Sequence, residues 1–91
     1  MAAAYTVEFE KRFKKDLKDV PRKLQVRIVA AIGRLAENPR PPGCTKLHGQ
    51  ADLYRIREGD YRIIYRIQDS QLTVLVLTVG DRKDIYRYLS K

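Results

Sequence analysis

Between Leu53 and Arg66 the chain reads Leu-Tyr-Arg-Ile-Arg, then Glu-Gly-Asp, then Tyr-Arg-Ile-Ile-Tyr-Arg. Side chains alternate across a strand with a period of two, so Arg55 and Arg57 project from one face while Tyr54 and Ile56 project from the other. A two-residue turn at Gly59-Asp60 sets Arg57 opposite Arg62, Arg55 opposite Ile64 and Tyr54 opposite Tyr65. Two guanidiniums directly across a strand pair repel unless an anion sits between them. Guanidinium is planar, permanently charged and matched to phosphate oxygens, so the chemistry this face suits is phosphate binding, with RNA the first candidate. Arginines can also neutralise the charge that develops when a 2′-hydroxyl attacks its own phosphodiester, although they are poor proton acceptors.

Composition supports a polyanionic partner. Nineteen Lys plus Arg against eleven Asp plus Glu give a formal charge of +8, and the pI is about 9.9, a footprint of nucleic-acid binding in a domain this small. One cysteine and one histidine cannot supply a tetrahedral zinc set, and no Gly-rich phosphate loop is present, so neither metal nor cofactor is expected. Cys44 and His48 share a Pro/Gly-rich loop, which is weak evidence for nucleophilic catalysis. A lone cysteine fits a reducing compartment, and neither a leader pattern nor an apolar run of spanning length is visible, so a cytoplasmic address without membrane insertion is expected.

The elements that must position these residues can be read from periodicity. Ninety-one residues predict one domain, 1–91. Tyr5 to Val7 is a short β-prone entry. Phe9, Phe13, Leu17 and Val20 form a helical stripe from Glu8 onward, and Leu24, Ile28, Ala31, Ile32 and Leu35 form a second, with Pro21 at its first position and Asn38-Pro39 at its end. So close a connection predicts an antiparallel helix hairpin. Pro39 to Gly49 reads as a crossing segment without regular structure. Three strands follow, near 52–57, 61–68 and 72–79. A second two-residue loop at Asp69-Ser70 would set Tyr65 opposite Val74 and Ile63 opposite Val76. One face then collects Tyr54, Ile56, Ile63, Tyr65, Ile67, Leu72, Val74 and Val76 against the helices. The other carries the arginines with Thr73, Leu75 and Leu77. The class is α+β: an N-terminal strand and a two-helix hairpin on a mainly antiparallel four-stranded sheet, with a short C-terminal segment folding toward the arginine face.

With Lys46-Leu47-x-Gly49, Leu53 to Arg57, Tyr61 to Tyr65 and Val79-Gly-Asp-Arg-Lys-Asp-Ile-Tyr86 in this order and spacing, nearly the whole chain resembles the RelE toxins of the RelE/ParE superfamily, whose fold is microbial-ribonuclease-like. The resemblance implies a type II toxin held in a hetero-oligomer by a cognate antitoxin, and a metal-independent endoribonuclease that cleaves mRNA in the ribosomal A site. It places Arg62 and Arg82 at the scissile phosphate, Arg55 and Arg57 in charge stabilisation and proton handling, and Tyr86 against the nucleotide. Lys46, Arg66 and Lys83 become RNA contacts. Some members carry lysine where this chain has Arg55 and Arg57, and many carry histidine where it has Asp81. Two other readings share the pattern: a ParE-like inhibitor of DNA gyrase, against which the five retained site residues count, and an RNA-binding module that does not cleave.

Overall fold

The computed structural model describes residues 4–49 and 51–85. Strand β1 (Thr6–Phe9) leads into helix α1 (Lys11–Leu17) and helix α2 (Arg22–Leu35), followed by β2 (Thr45–Lys46), β3 (Leu53–Glu58), β4 (Tyr61–Gln68), a 3-10 turn (Asp69–Gln71) and β5 (Thr73–Asp81). The strands form one sheet in the order β1-β5-β4-β3-β2, with β1 parallel to β5 and the other pairs antiparallel. The α+β class with its helix pair stands, but the sheet has five strands rather than four. Thr45 and Lys46, inside the segment read as irregular, pair with Arg55 and Tyr54. A two-residue strand is too short to show alternation in sequence.

Apolar burial explains the layering. Phe13, Val20, Ile28, Ile32 and Leu35 from the helical layer pack on Ile56, Ile63, Tyr65, Ile67, Val74, Val76 and Val79 of the sheet. A smaller cluster of Leu53, Ile64, Leu77 and Ile85 lies apart from it, with Leu75 and Leu47 against it. Burying a side chain of this size stabilises by about 1.5–3 kcal/mol, so both clusters matter in a domain this small. The first helix is shorter than its stripe: Phe9 ends β1, is 42% exposed and stacks on Phe13 at 5.3 Å between ring centroids. Pro21, expected at the first helical position of α2, caps it instead with an extended ψ of 139°.

The β3–β4 register is as expected, including Arg57 opposite Arg62. The β4–β5 register is not. Residues 69–72 make a longer connection in which Leu72 adopts φ 48°, so Tyr65 faces Val76 rather than Val74, and Ile63 faces Val79 rather than Val76. An irregularity between Ile64 and Tyr65 leaves Leu77 without a partner in the pairing, as a β-bulge does. The shift at Tyr65 is two residues, which preserves the face of Val74 and Val76. Leu72 itself, expected in the core, is 41% exposed, because the left-handed turn position carries it out of the strand.

A polar network fastens the turn. Arg40 Nη1 and Nη2 donate to the two Asp69 carboxylate oxygens at 3.2 and 2.8 Å, and the Tyr5 hydroxyl donates to Oδ1 at 2.6 Å. Arg40 Nε donates to the Tyr54 hydroxyl at 3.3 Å, and its guanidinium lies 5.2 Å from the Tyr54 ring centroid. Tyr54 stacks on Tyr65, whose buried hydroxyl donates to Pro39 O at 2.7 Å. Burial, then the neighbouring Cys44 thiol, raises the Tyr65 pKa. The donors from Arg40 and Tyr5 hold Asp69 down at about 2 against an ordinary 3.8.

Two expectations follow. A carboxylate whose pKa is lowered by folding contributes stability that is complete above its unfolded value and is lost as pH falls through the folded one. Urea unfolding should therefore show an acid-side loss between about pH 4 and 2 that Asp69→Asn reduces; identical slopes in both proteins would remove Asp69 from this role. Gly33 lies exposed inside α2 with nothing within 4 Å of an added Cβ. Gly33→Ala should raise unfolding free energy by about 0.8–1 kcal/mol, read from the same melts.

Candidate anion-binding groove

The β3–β4 hairpin sets the cationic centre. Arg57 and Arg62 are cross-strand partners, and Arg55 lies two residues along β3, so alternation places all three on one face. The tight turn depends on Gly59, whose φ is 61°, a left-handed value that glycine adopts without strain. Arg62 Nη1 donates to the carbonyls of Gly59 and Tyr61 at 3.3 Å each, which holds this guanidinium against the end of the hairpin. Arg57 is exposed and Arg55 half-buried.

β2 pairs with Tyr54 and Arg55, so the β3 edge from Ile56 to Glu58 lies beyond its end. There the surface opens into a groove of about 770 Å³ lined by Arg55, Arg57 and Arg62, by Arg34 of α2, by Pro41, Pro42 and Gly43, and by Thr45. Glu37 and Glu58 also line it. Arg34, Thr45 and Glu58 were not singled out in the sequence. Arg34 is one turn from Ala31, which also lines the groove, but helical periodicity says nothing about which strand edge that flank borders. Four guanidiniums around one opening can grip a phosphate or a run of phosphates. Glu37 and Glu58 are the carboxylates among its lining residues.

The match with known proteins extends over the same elements. The family model for the ParE toxin of type II toxin-antitoxin systems matches residues 7–86. The chain belongs to the RelE/ParE toxin superfamily. It is 37% identical over 84 residues to Toxin RelG of Mycobacterium tuberculosis, with 91% of this chain and 97% of that protein covered. It is 29% identical over 87 residues to the mRNA interferase toxin RelE of Escherichia coli, covering 91% and 90%. Its fold overlays the RelE of a RelE-RelB complex from Pyrococcus horikoshii with a TM-score of 0.77 and 31% identity, over 87% of this chain and 96% of that one. It is thus a RelE-type toxin of the type II toxin-antitoxin class.

The other expected residues of this RelE-type chain divide by position. Arg82 follows β5, and its backbone N–H donates to Asp60 O at 2.9 Å, which ties its turn to the hairpin loop carrying the arginine pair. Lys83 is exposed in the same turn, and its N–H donates to Asp81 Oδ1 at 2.7 Å. Asp81 pairs with Tyr61 and lines a separate hollow of about 250 Å³ with Asp16, Asp19 and Asp84. Tyr86 falls outside the described residues. Arg66 pairs with Leu53 and Leu75, roughly 13 Å along the strand from Arg62, with the buried Ile64 between them. Lys46 pairs with Tyr54 and so shares the face of Tyr54 rather than that of the arginines. Leu77, expected on the face of the arginines, is buried there with Ile64 and Ile85, because the C-terminal turn closes over that part of the face. His48 is exposed on its loop and Cys44 packs toward the core.

The like-charge pair gives a direct test. Arg57→Gln should raise stability by about 0.2–1 kcal/mol at low ionic strength and weaken binding of a short RNA. The stability gain should fade as salt screens the pair, read from urea melts at two salt concentrations.

Proposed function

We propose that this toxin is a ribosome-dependent endoribonuclease that cleaves mRNA in the A site and is neutralised by a cognate antitoxin. The observation that carries the reading is the Arg57–Arg62 cross-strand pair on the groove wall: opposed guanidiniums repel one another, and a phosphate between them offsets that repulsion. In the reaction the 2′-oxygen attacks the adjacent phosphorus, the 5′-oxygen departs, and a 2′,3′-cyclic phosphate remains. Arg62 and Arg82 are assigned to the non-bridging oxygens, Arg55 and Arg57 to shared charge stabilisation and proton handling, and Tyr86 to orientation of the nucleotide. Glu37 and Glu58 supply the proton acceptors that arginine lacks. Lys46, Arg66 and Lys83 are assigned to RNA contacts outside the centre. With one cysteine and one histidine, the chain is assigned no metal of its own.

The antitoxin assignment draws on the relatives: the Pyrococcus horikoshii RelE is solved as a RelE-RelB complex. No described helix is long and apolar enough to cross a membrane, and the ribosome as target implies the cytoplasm. The match to the ParE toxin model favours one second reading, inhibition of DNA gyrase on the same fold.

In an in vitro translation reaction analysed by primer extension, the wild-type chain should produce breaks inside codons. Arg62→Ala and Arg82→Ala should each lower the cleavage rate by about 100-fold or more, as loss of one transition-state donor does, with the melt retained. Full activity in both variants would sink the site assignment. RNA binding without breaks would leave a binding module, and blocked supercoiling with intact translation would select the gyrase reading.

A further inference from the structure

Arg82 lies beyond the end of β5 and is exposed, so its position is set through the backbone of the turn that carries it. Asp81, Arg82, Lys83 and Asp84 are all charged, and the turn's polar fastenings join exposed residues. Lys83 N–H donates to Asp81 Oδ1 at 2.7 Å, and Arg82 N–H donates to Asp60 O at 2.9 Å. Water competes for hydrogen bonds of this kind, so by themselves they leave a turn at the low-stability end of a fold.

Ile85 ends the charged run and is 2% exposed. It packs with Leu53, Ile64 and Leu77 and folds back to Gly80, where an added Cβ would stand 3.4 Å from Ile85 Cδ1. This seat is on the face of the arginines. Leu53 alternates with Arg55 and Arg57 along β3, and Ile64 is the cross-strand partner of Arg55 and stands two residues from Arg62 on β4. The cluster is separate from the main core under the helices, so it can loosen while the helical layer stays packed. A side chain close-packed on the sheet resists displacement where surface hydrogen bonds do not.

We propose that Ile85 is a positioning residue for Arg82: its seat on Leu53, Ile64 and Leu77 fixes the C-terminal turn and so sets where the Arg82 guanidinium stands relative to the hairpin arginines. The catalytic consequence rests on the nuclease reading, whereas the fastening of the turn does not. A shift of about 1 Å at a group that acts in the transition state costs on the order of 100-fold in rate. Arg55, Arg57 and Arg62 hold their places on β3 and β4 when the turn loosens, so the loss falls on the chemical step rather than on RNA binding.

The test joins a backbone measurement to a rate. In hydrogen exchange of the isotope-labelled full chain, Ile85→Ala should speed exchange of the Arg82 amide about tenfold or more, and Ile85→Val, which keeps the fold if alanine does not, about two- to tenfold. Ile28→Val, a truncation in the main core, should lower the melt and leave Arg82 exchange unchanged. In the primer-extension assay, Ile85→Ala should lower the maximal cleavage rate about tenfold or more while the half-saturating toxin concentration stays within about twofold. On an Arg82→Ala background the same substitution should cost less than about twofold more, because no guanidinium is left to misplace. Unchanged Arg82 exchange in the Ile85 variants, an equal rise in Ile28→Val, an effect confined to half-saturation, or equal rate losses in both backgrounds would each overturn the proposal. If the wild-type chain makes no breaks, the nuclease reading fails, and the exchange rates alone decide whether Ile85 fastens the turn.

Discussion

The organisation of this molecule depends on a strand that is dry on both sides. Ile63, Ile64, Tyr65 and Ile67 of β4 are all at most 1% exposed, so the sheet does not divide into one buried and one wet face at its centre. The helical layer covers Ile63, Tyr65 and Ile67 on one side, and on the other Ile85 closes over Ile64 with Leu53 and Leu77. Charged side chains of β3 and β4 can reach water only at the ends of the strands or around the β3 edge. That is where Arg55, Arg57 and Arg62 meet the groove, and the stub of a strand at β2 leaves the edge open for them. Arg66, at the opposite end of the same strand, is separated from them by the apolar centre.

The Arg40–Asp69 network ties together the segments behind the groove wall. It joins the segment after α2 to the turn after β4, and through Tyr54 and Tyr65 it fixes the path of the chain from Pro39 onward. Pro41, Pro42 and Gly43, which face the arginines, are anchored from behind by this network. Exposed ion pairs contribute little singly. Here one guanidinium serves a carboxylate, a phenol and an aromatic ring together, so its larger effect is on geometry.

Local signals were legible in the sequence and long-range ones were not. The Gly59-Asp60 turn is short and leaves one register, so Arg57 opposite Arg62 could be read directly. The connection after Gln68 could not be: Asp69-Ser70 looks like a two-residue hairpin loop, and the left-handed Leu72 and the bulge at Leu77 carry no residue-type signature. Phe9 fits a helical stripe, yet β1 claims it because pairing with β5 satisfies its backbone. For the site, residue type pointed to the hairpin arginines and to Arg82, whereas Arg34, Thr45 and Glu58 join the groove through tertiary placement. Lys46 is a further case, since only its pairing with Tyr54 sets the face it occupies.

The parallel pairing of β1 with β5 divides assembly into a fast part and a slow part. Arg57 and Arg62 are five residues apart and meet in a hairpin, which forms on a microsecond scale, whereas Thr6 and Thr73 pair across 67 residues and must wait for a large loop to close. The cationic pair is thus assembled by the local half of the molecule, before the non-local half has fastened the sheet. Repulsion between the two guanidiniums then opposes a contact the chain can make early, and a polyanion that screens the pair would favour the hairpin as well as fill the groove.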